Sequence, residues 1–320
     1  MTKMREAENV PEVSDVSQSG LRDRVVLVTG GRGFIGAALC ARLRNEGADV
    51  HTVGRTEAAS DTGANHWQVD LAEHTAVEKL VGSLRPHYVF HLASHVMGAP
   101  DRKHVLPTFR NNLQTTVNLL CALADAGCTR MVTAGSLVEP EAGQRSVPNS
   151  PYAASKWASG DYARLFHALY GFPVALARIF MVYGPGQNDM TKLVPYVISS
   201  IRQGVAPLIT SGSHSIDWIF VDDVVDGLMR LALAPRVDGE TVDLGSGSTI
   251  TTRALVDLLC ASMQAPVAPV YGALPDRPME PLRVADVAAS YRQIGWRPRT
   301  DLREGLEHTI KWYGDNAGRA

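Results

Sequence analysis

The sequence predicts an α/β fold built on parallel strands, and three observations carry that prediction. Val25-Val26-Leu27-Val28 is an unbroken apolar run with three β-branched residues, the pattern of a strand buried on both faces. Glycines follow at positions 30, 33 and 36, and a helix with small inward residues opens directly after them at Ala37–Leu43. Further strand-like runs then alternate with helical spacing, an order that needs crossover connections.

The glycine spacing lets the chain turn sharply and bring a helix N-terminus close to a bound pyrophosphate. A side chain at Gly33 would block that approach, and one at Gly36 would hold the helix off the sheet. Next, residues 48–53 form a second strand that ends at Gly54-Arg55. An acidic residue at this point grips a ribose 2′-hydroxyl in dinucleotide folds. Here Arg55 and, within the glycine loop, Arg32 offer two guanidinium groups that suit a 2′-phosphate, so NADP is expected over NAD. Residues 67–71 read as a third strand, with Asp70 able to accept from an adenine amine. A fourth strand, 88–94, runs into small residues that leave room for a cofactor, and its His91 reads as a packing histidine. Residues 111–122 have helical spacing, and Arg130–Ser136 is a fifth strand.

Tyr152 and Lys156 come next, four residues apart on one face of a helix that starts near Pro151. A phenol with a pKa near 10 is a poor proton carrier at neutral pH. A neighbouring ammonium is expected to lower that value and also to hold a ribose. Ser136, at a strand end, can hydrogen-bond the oxygen that gains or loses the proton. Later, the helix Leu193–Gln203 lies in a lid over residues 187–213. Asp222-Asp223 is expected on a strand, facing opposite ways, and is not read as a metal site. Thr251 caps a helix whose apolar face is Ala254, Leu255, Leu258 and Leu259.

Composition narrows the class. The 320 residues allow one large α/β unit or two modest domains, and 45% hydrophobic with 20% charged residues is an ordinary soluble composition. A net charge of -2 argues against nucleic acid or an anionic membrane as the main partner. Four scattered cysteines (40, 121, 128, 260) show no ligand spacing and read as reduced thiols of a cytoplasmic protein. Residues 1–20 are polar and read as a disordered leader.

Taken together, these motifs resemble an extended short-chain dehydrogenase/reductase of the nucleotide-sugar epimerase/dehydratase group. The resemblance rests on Thr29–Gly36, Asp70-Leu71, His91–Ala93, Asn112, Ser136, Tyr152 with Lys156, Arg178–Gln187, Asp217–Val224 and Gly295–Pro298 with Leu302–Leu306, and covers about residues 24–313. It implies a Rossmann fold, a doubly wound parallel sheet, with a smaller C-terminal α/β substrate domain. The implied division is a tail over 1–20, a cofactor domain over 21–183 with segments returning at about 215–247, and a substrate domain mainly over 184–320. Gly30, Arg32, Gly33, Phe34, Ile35, Arg55, Asp70, Leu71, Leu92, Ala93, Asn112 and Lys156 would hold the cofactor. Ser136, Tyr152 and Lys156 would be catalytic. A homodimer packed through two helices per subunit is implied, and Ala154, Trp157, Ala158, Tyr162, Leu165 and Phe166 fit such a helix or an internal core equally well.

Departures from the group pattern narrow the reaction. Dehydrating members resemble one another in a Thr-Asp-Glu at the strand end, where this chain has Ser136-Leu137-Val138, with Glu139 three residues on. The usual sugar-contacting asparagine is Met181, and one diphosphate arginine is replaced by Ile216. Arg277 matches the other diphosphate arginine, Lys192 lies in the lid, and Arg283 is a further cation nearby. The expected activity is NADPH-dependent reduction of the C4 ketone of a nucleotide-linked 4-keto-6-deoxyhexose. The alternatives are a nucleotide-sugar C4 epimerase and, lower in rank, a catalytically silent NADP-binding protein. The expected partners are a nucleotide-sugar substrate and a second copy of the chain, with no metal, nucleic acid or membrane.

Overall fold

A computed structural model of the chain describes residues 18–57, 65–140, 147–276 and 282–316. The N-terminal half runs β1 (Val25–Thr29), α1 (Phe34–Asn45), β2 (Asp49–Gly54), β3 (Asn65–Gln68), α2 (His74–Leu84) and β4 (Tyr88–His91). It continues through α3 (Val105–Thr108), a π-helical turn (Phe109–Gln114), α4 (Thr115–Ala126), β5 (Arg130–Ser136) and α5 (Pro151–Tyr170). The second half runs β6 (Val174–Ile179), β7 (Met181–Tyr183), α6 (Leu193–Arg202), β8 (Ser215–Ile216), β9 (Trp218–Phe220) and α7 (Val221–Leu233). It closes with β10 (Thr241–Leu244), β11 (Ile250–Thr251), α8 (Thr252–Ser262), α9 (Val287–Ile294) and α10 (Leu302–Asp315).

Seven strands form one parallel sheet in the order β10-β6-β5-β4-β1-β2-β3. The chain winds outward from β1 to β3, then returns to β4 on the other side of β1. That reversal opens a crevice at the carboxyl ends of β1 and β4, the place where such sheets take ligands. Burial of both faces explains why β1 is apolar from Val25 to Val28. Val26 and Val28 enter a core shared with Leu39, Leu43, Val224 and Leu228, under α1 and α7. Leu27 enters the opposite core with Leu80, Leu119, Leu123 and Phe166, under α2, α4 and α5. A third core, centred on Val197, Trp218, Phe220, Leu255 and Leu306, belongs to the C-terminal elements.

Several sequence expectations shift. The third strand stops at Gln68 and the fourth at His91, so Asp70 and Ala93 lie in the turns beyond. Gln18–Leu21 forms a 3-10 turn that seats Leu21 in the core, while the rest of the expected leader lies outside the described residues. Asp222 and Asp223 stand in the first turn of α7, where acidic side chains favour the helix N-terminus. Asp223 accepts from the N–H groups of Arg299 and Thr300, both at 3.0 Å, so its role is to tie the C-terminal segment down. The Thr251 cap is formed, but the buried face of α8 is Thr252, Leu255, Val256 and Leu259, with Ala254 exposed. On α5, Phe166 is buried, whereas Trp157, Tyr162 and Leu165 are each about 40% exposed and enter no internal core.

Candidate active site

The crevice begins at Gly30, whose φ of +71° favours glycine. A Cβ at Gly30 would stand 2.7 Å from the Ala93 nitrogen, so the loop after β1 and the end of β4 can meet only without a side chain. At Gly36 a Cβ would stand 2.1 Å from the Gly30 carbonyl oxygen, so this residue keeps α1 against the loop itself. Phe34 and Ile35 open α1, whose N-terminus has no side-chain cap. Among the described residues Ser94 Oγ is buried at the end of β4 with no hydrogen-bond partner. An uncapped helix N-terminus, a glycine cradle and an orphaned hydroxyl in one crevice fit the pyrophosphate and ribose of a dinucleotide.

Arg32 lies across the end of β2. Its Nη1 donates to the Glu57 carbonyl at 2.9 Å, its Nη2 donates to Thr56 Oγ1, and Nη2 would stand 3.8 Å from a Cβ at Gly54. Arg55 is exposed beside it. Asp70 is engaged otherwise than expected: one oxygen accepts from Ala72 N at 3.0 Å and the other pairs with Arg110 at 2.9 Å. Its carboxylate therefore fixes the turn after β3 before any adenine is bound. Leu71 is buried next to it, and Leu92 and Ala93 are half-buried.

Asn112 sits in the π-helical turn, a distortion that turns a side chain off the regular helical face. Its Oδ1 accepts from His95 N at 2.6 Å and its Nδ2 donates to Ser155 Oγ at 2.8 Å, which joins the loop after β4 to α5. His91 is enclosed below it. Thr116 Oγ1 donates to the Asn112 carbonyl, so Nε2 of His91 must donate to Thr116 Oγ1 at 3.0 Å. Nδ1 is then the acceptor of the Thr29 hydroxyl at 2.7 Å, and Thr29 Oγ1 in turn accepts from Ala93 N. Burial pushes the His91 pKa down to about 3, with nearby Lys156 acting in the same direction. It is a neutral packing histidine that links Thr29 and the loop after β4 to Asn112 through Thr116.

The acid–base residues are set by the start of α5. Ser150 caps the helix by accepting from Ala153 N, and Pro151 takes the first helical position, where its missing N–H costs nothing. Tyr152 thus stands in the first turn and Lys156 one turn later, its Nζ 6.0 Å from the Tyr152 ring centre. Lys156 Nζ donates to the Ala134 carbonyl at 2.8 Å, and Ser136 is close enough to hydrogen-bond Tyr152. Burial pushes Tyr152 up to about 12, and the Glu139 charge adds to the rise while Ser136 opposes it. Burial pulls Lys156 down to about 8. The phenol is therefore raised and not lowered, because burial outweighs what a neighbouring ammonium was expected to contribute.

The substrate-side residues are more dispersed. Met181 is half-buried on β7, and Ile216 is half-buried on β8. Lys192 is the N-cap residue of α6, with its ammonium 3.8 Å from Asp189. Arg277 lies outside the described residues. Arg283 donates to the carbonyls of Leu137 and Glu139, at 3.3 and 3.0 Å, and so holds the turn after Ser136. The buried carboxylate of Glu139 (residue 5% exposed) was not among the sequence-based candidates, and the only signal for it was an acid three residues past a strand-end serine. Among the described residues no group of three or more His, Cys, Asp or Glu side chains could hold a metal ion, and no helix is long and apolar enough to cross a membrane.

A family model, the NAD dependent epimerase/dehydratase family, matches residues 26–245. The dTDP-glucose 4,6-dehydratase of Streptomyces antibioticus is 32% identical over 91% of this chain and 92% of its own length. The UDP-glucose 4-epimerase of Mycolicibacterium smegmatis is 28% identical over 90% and 97%. Among solved structures, the Bordetella bronchiseptica enzyme WbmF in complex with NAD+ and UDP superposes with a TM-score of 0.81 at 25% identity, over 93% and 94% of the two chains.

Proposed function

The chain belongs to the NAD dependent epimerase/dehydratase family, within the extended short-chain dehydrogenase/reductases that act on nucleotide sugars, and from that premise we propose that it is a cytoplasmic NADPH-dependent reductase of a nucleotide-linked 4-keto-6-deoxyhexose. The observation that carries this reading is the convergence of Ser136, Tyr152 and Lys156 beside the dinucleotide crevice, with the apolar Leu137 and Val138 following Ser136. No acid pair stands there to assist an elimination.

The crevice would hold a nicotinamide cofactor, whose chemistry would be the supply of a hydride to the C4 carbonyl carbon. Tyr152, held protonated by burial, donates its proton to the oxygen that gains the electron pair, and the ketone becomes an alcohol. The Ser136 hydroxyl donates a hydrogen bond to the same oxygen as charge builds on it. Lys156, anchored on the Ala134 carbonyl, would position the nicotinamide ribose, and Asn112 holds the loop after β4 through His95 N. Arg32, fixed across the end of β2, supports a 2′-phosphate and therefore NADPH. Met181, Lys192 and Arg277 would face the sugar and its nucleotide. The apolar stripe Trp157, Tyr162 and Leu165 on α5, with Leu106 and Phe109 exposed nearby, supports a homodimer through this helix.

A C4 epimerase is the second reading, and the named activity of the Mycolicibacterium relative favours it. One assay separates the two. Purified protein is mixed with NADPH and an enzymatically prepared nucleotide 4-keto-6-deoxyhexose, and reduced nicotinamide is followed. Stoichiometric loss is expected, slower with NADH, and Arg32→Ala should narrow the preference about tenfold, the worth of one charge-assisted contact. Interconversion of a UDP-hexose pair without added cofactor, and no consumption of NADPH, would replace the reductase with the epimerase.

A further inference from the structure

The turn after β5 carries a carboxylate that the chemistry above does not use. Glu139 Oε1 accepts from Ser136 N at 2.6 Å, while Glu139 N donates to the Ser136 carbonyl at 3.1 Å. The fit is close, since a Cβ at Gly135 would stand 2.6 Å from that same oxygen. Glu139 forms no ion pair within 4 Å among the described residues, and neither does Lys156.

The ladder of the sheet explains where this carboxylate lies. Met131 N and Leu137 N donate to Pro173 and Ile179 on the β6 side, so the even-numbered residues of β5 face β4. Pairing with β4 ends at His91, opposite Thr133. Beyond it, the Ala134 carbonyl and the Ser136 N–H face one gap, and both would have bonded to the same further residue of β4. Instead the Lys156 ammonium takes the carbonyl at 2.8 Å and the Glu139 carboxylate takes the N–H at 2.6 Å. A cation and an anion therefore occupy the two halves of one vacated ladder position, on either side of Gly135, with the Tyr152 ring centre 6.0 Å from the ammonium. Arg283 holds the carboxylate's own turn in place from the C-terminal side through two backbone carbonyls.

We propose that Glu139 is the positioning residue of the acid–base site: it fixes Ser136 at the strand end and is the counter-charge that keeps Lys156 an ammonium. The proposal rests on the reading of Tyr152 and Lys156 given above. The groups facing Lys156 are Tyr152 from its own helix, Glu139 from the turn after β5, and the neutral imidazole of His91 from β4. Of these only Glu139 favours the charged lysine, and the same charge disfavours a phenolate on Tyr152.

Glu139→Gln tests this, because the amide oxygen still accepts from Ser136 N while the charge is gone. The readout is the pH dependence of Lys156 acetylation by acetic anhydride, measured on the peptide by mass spectrometry, with no substrate needed. The expected result is a midpoint near 8 in the wild type and one lower by on the order of one pH unit in Glu139→Gln. Glu139→Asp, which keeps the charge, should titrate close to the wild type. The basic limb of the turnover profile should move with the Lys156 midpoint. A purely structural Glu139 would change amplitude and thermal stability but leave the midpoint in place, and an unmoved midpoint in folded Glu139→Gln overturns the proposal. Should Glu139→Gln not fold, Glu139→Asp still decides, since a full-unit fall with the charge retained overturns it as well. Failure of the wild type to turn over any nucleotide-linked sugar would instead sink the function proposed above, with the Lys156 titration still readable.

Discussion

Tyr152→Phe is expected to lower turnover about a thousandfold, within the range a positioned general acid contributes, and to leave cofactor affinity nearly unchanged. The substitution removes one hydroxyl from a ring already seated in the first turn of α5, so packing and the Lys156–Ala134 contact persist. Only the proton donor is lost. With the phenol pushed up to about 12, Tyr152 stays protonated throughout the working range and sets no limb of a reductive pH profile there. The wild type should instead slow as pH rises through about 8, where Lys156 loses its charge. Steady-state kinetics together with a titration of protein fluorescence by NADPH check both halves. Turnover at the wild-type level in the phenylalanine variant would remove Tyr152 from the mechanism and leave Ser136 or solvent to deliver the proton.

The legible parts of the chain were those whose periodicity and chemistry agree. The expected strand Arg130–Ser136 has the bounds of β5, because a β-branched and small-residue run between a helix and a turn has few other solutions. Tyr152 and Lys156 meet because the four-residue spacing is a property of the helix itself. What sequence could not supply is the direction of side chains outside regular elements. The partner of Asp70 is an example: Arg110, forty residues away, pairs with one of its oxygens, and no local pattern foretells it. Asp222 and Asp223 follow a β-like run on the sequence, yet the helix already starts at Val221. On the sequence Glu139 is only an acid three residues past Ser136. Its value depends on where β4 stops, and no local pattern encodes the vacated ladder position that it fills.

Acid should destabilise the fold through His91. The sign follows from the two states: the unfolded imidazole takes a proton below about 6.5, while the folded one resists it down to about 3. Stability contributed by neutral His91 is therefore fully present above the unfolded value and is lost as pH falls toward the folded one. The slope is about 1.4 kcal/mol per pH unit, and the whole interval amounts to on the order of 5 kcal/mol. The geometry gives the penalty a location. A proton on Nδ1 would face the Thr29 hydroxyl, which now donates to that nitrogen and accepts from Ala93 N. Thr29 would have to turn its own hydrogen away from that nitrogen, and the imidazolium would sit buried beside Lys156. Urea unfolding from pH 7 down to pH 5 measures the effect above the range where most carboxylates titrate. His91→Gln, which cannot take the proton, should cost stability at pH 7 and flatten the slope by about one proton's worth. Equal slopes in the two proteins would mean that His91 protonates within the fold.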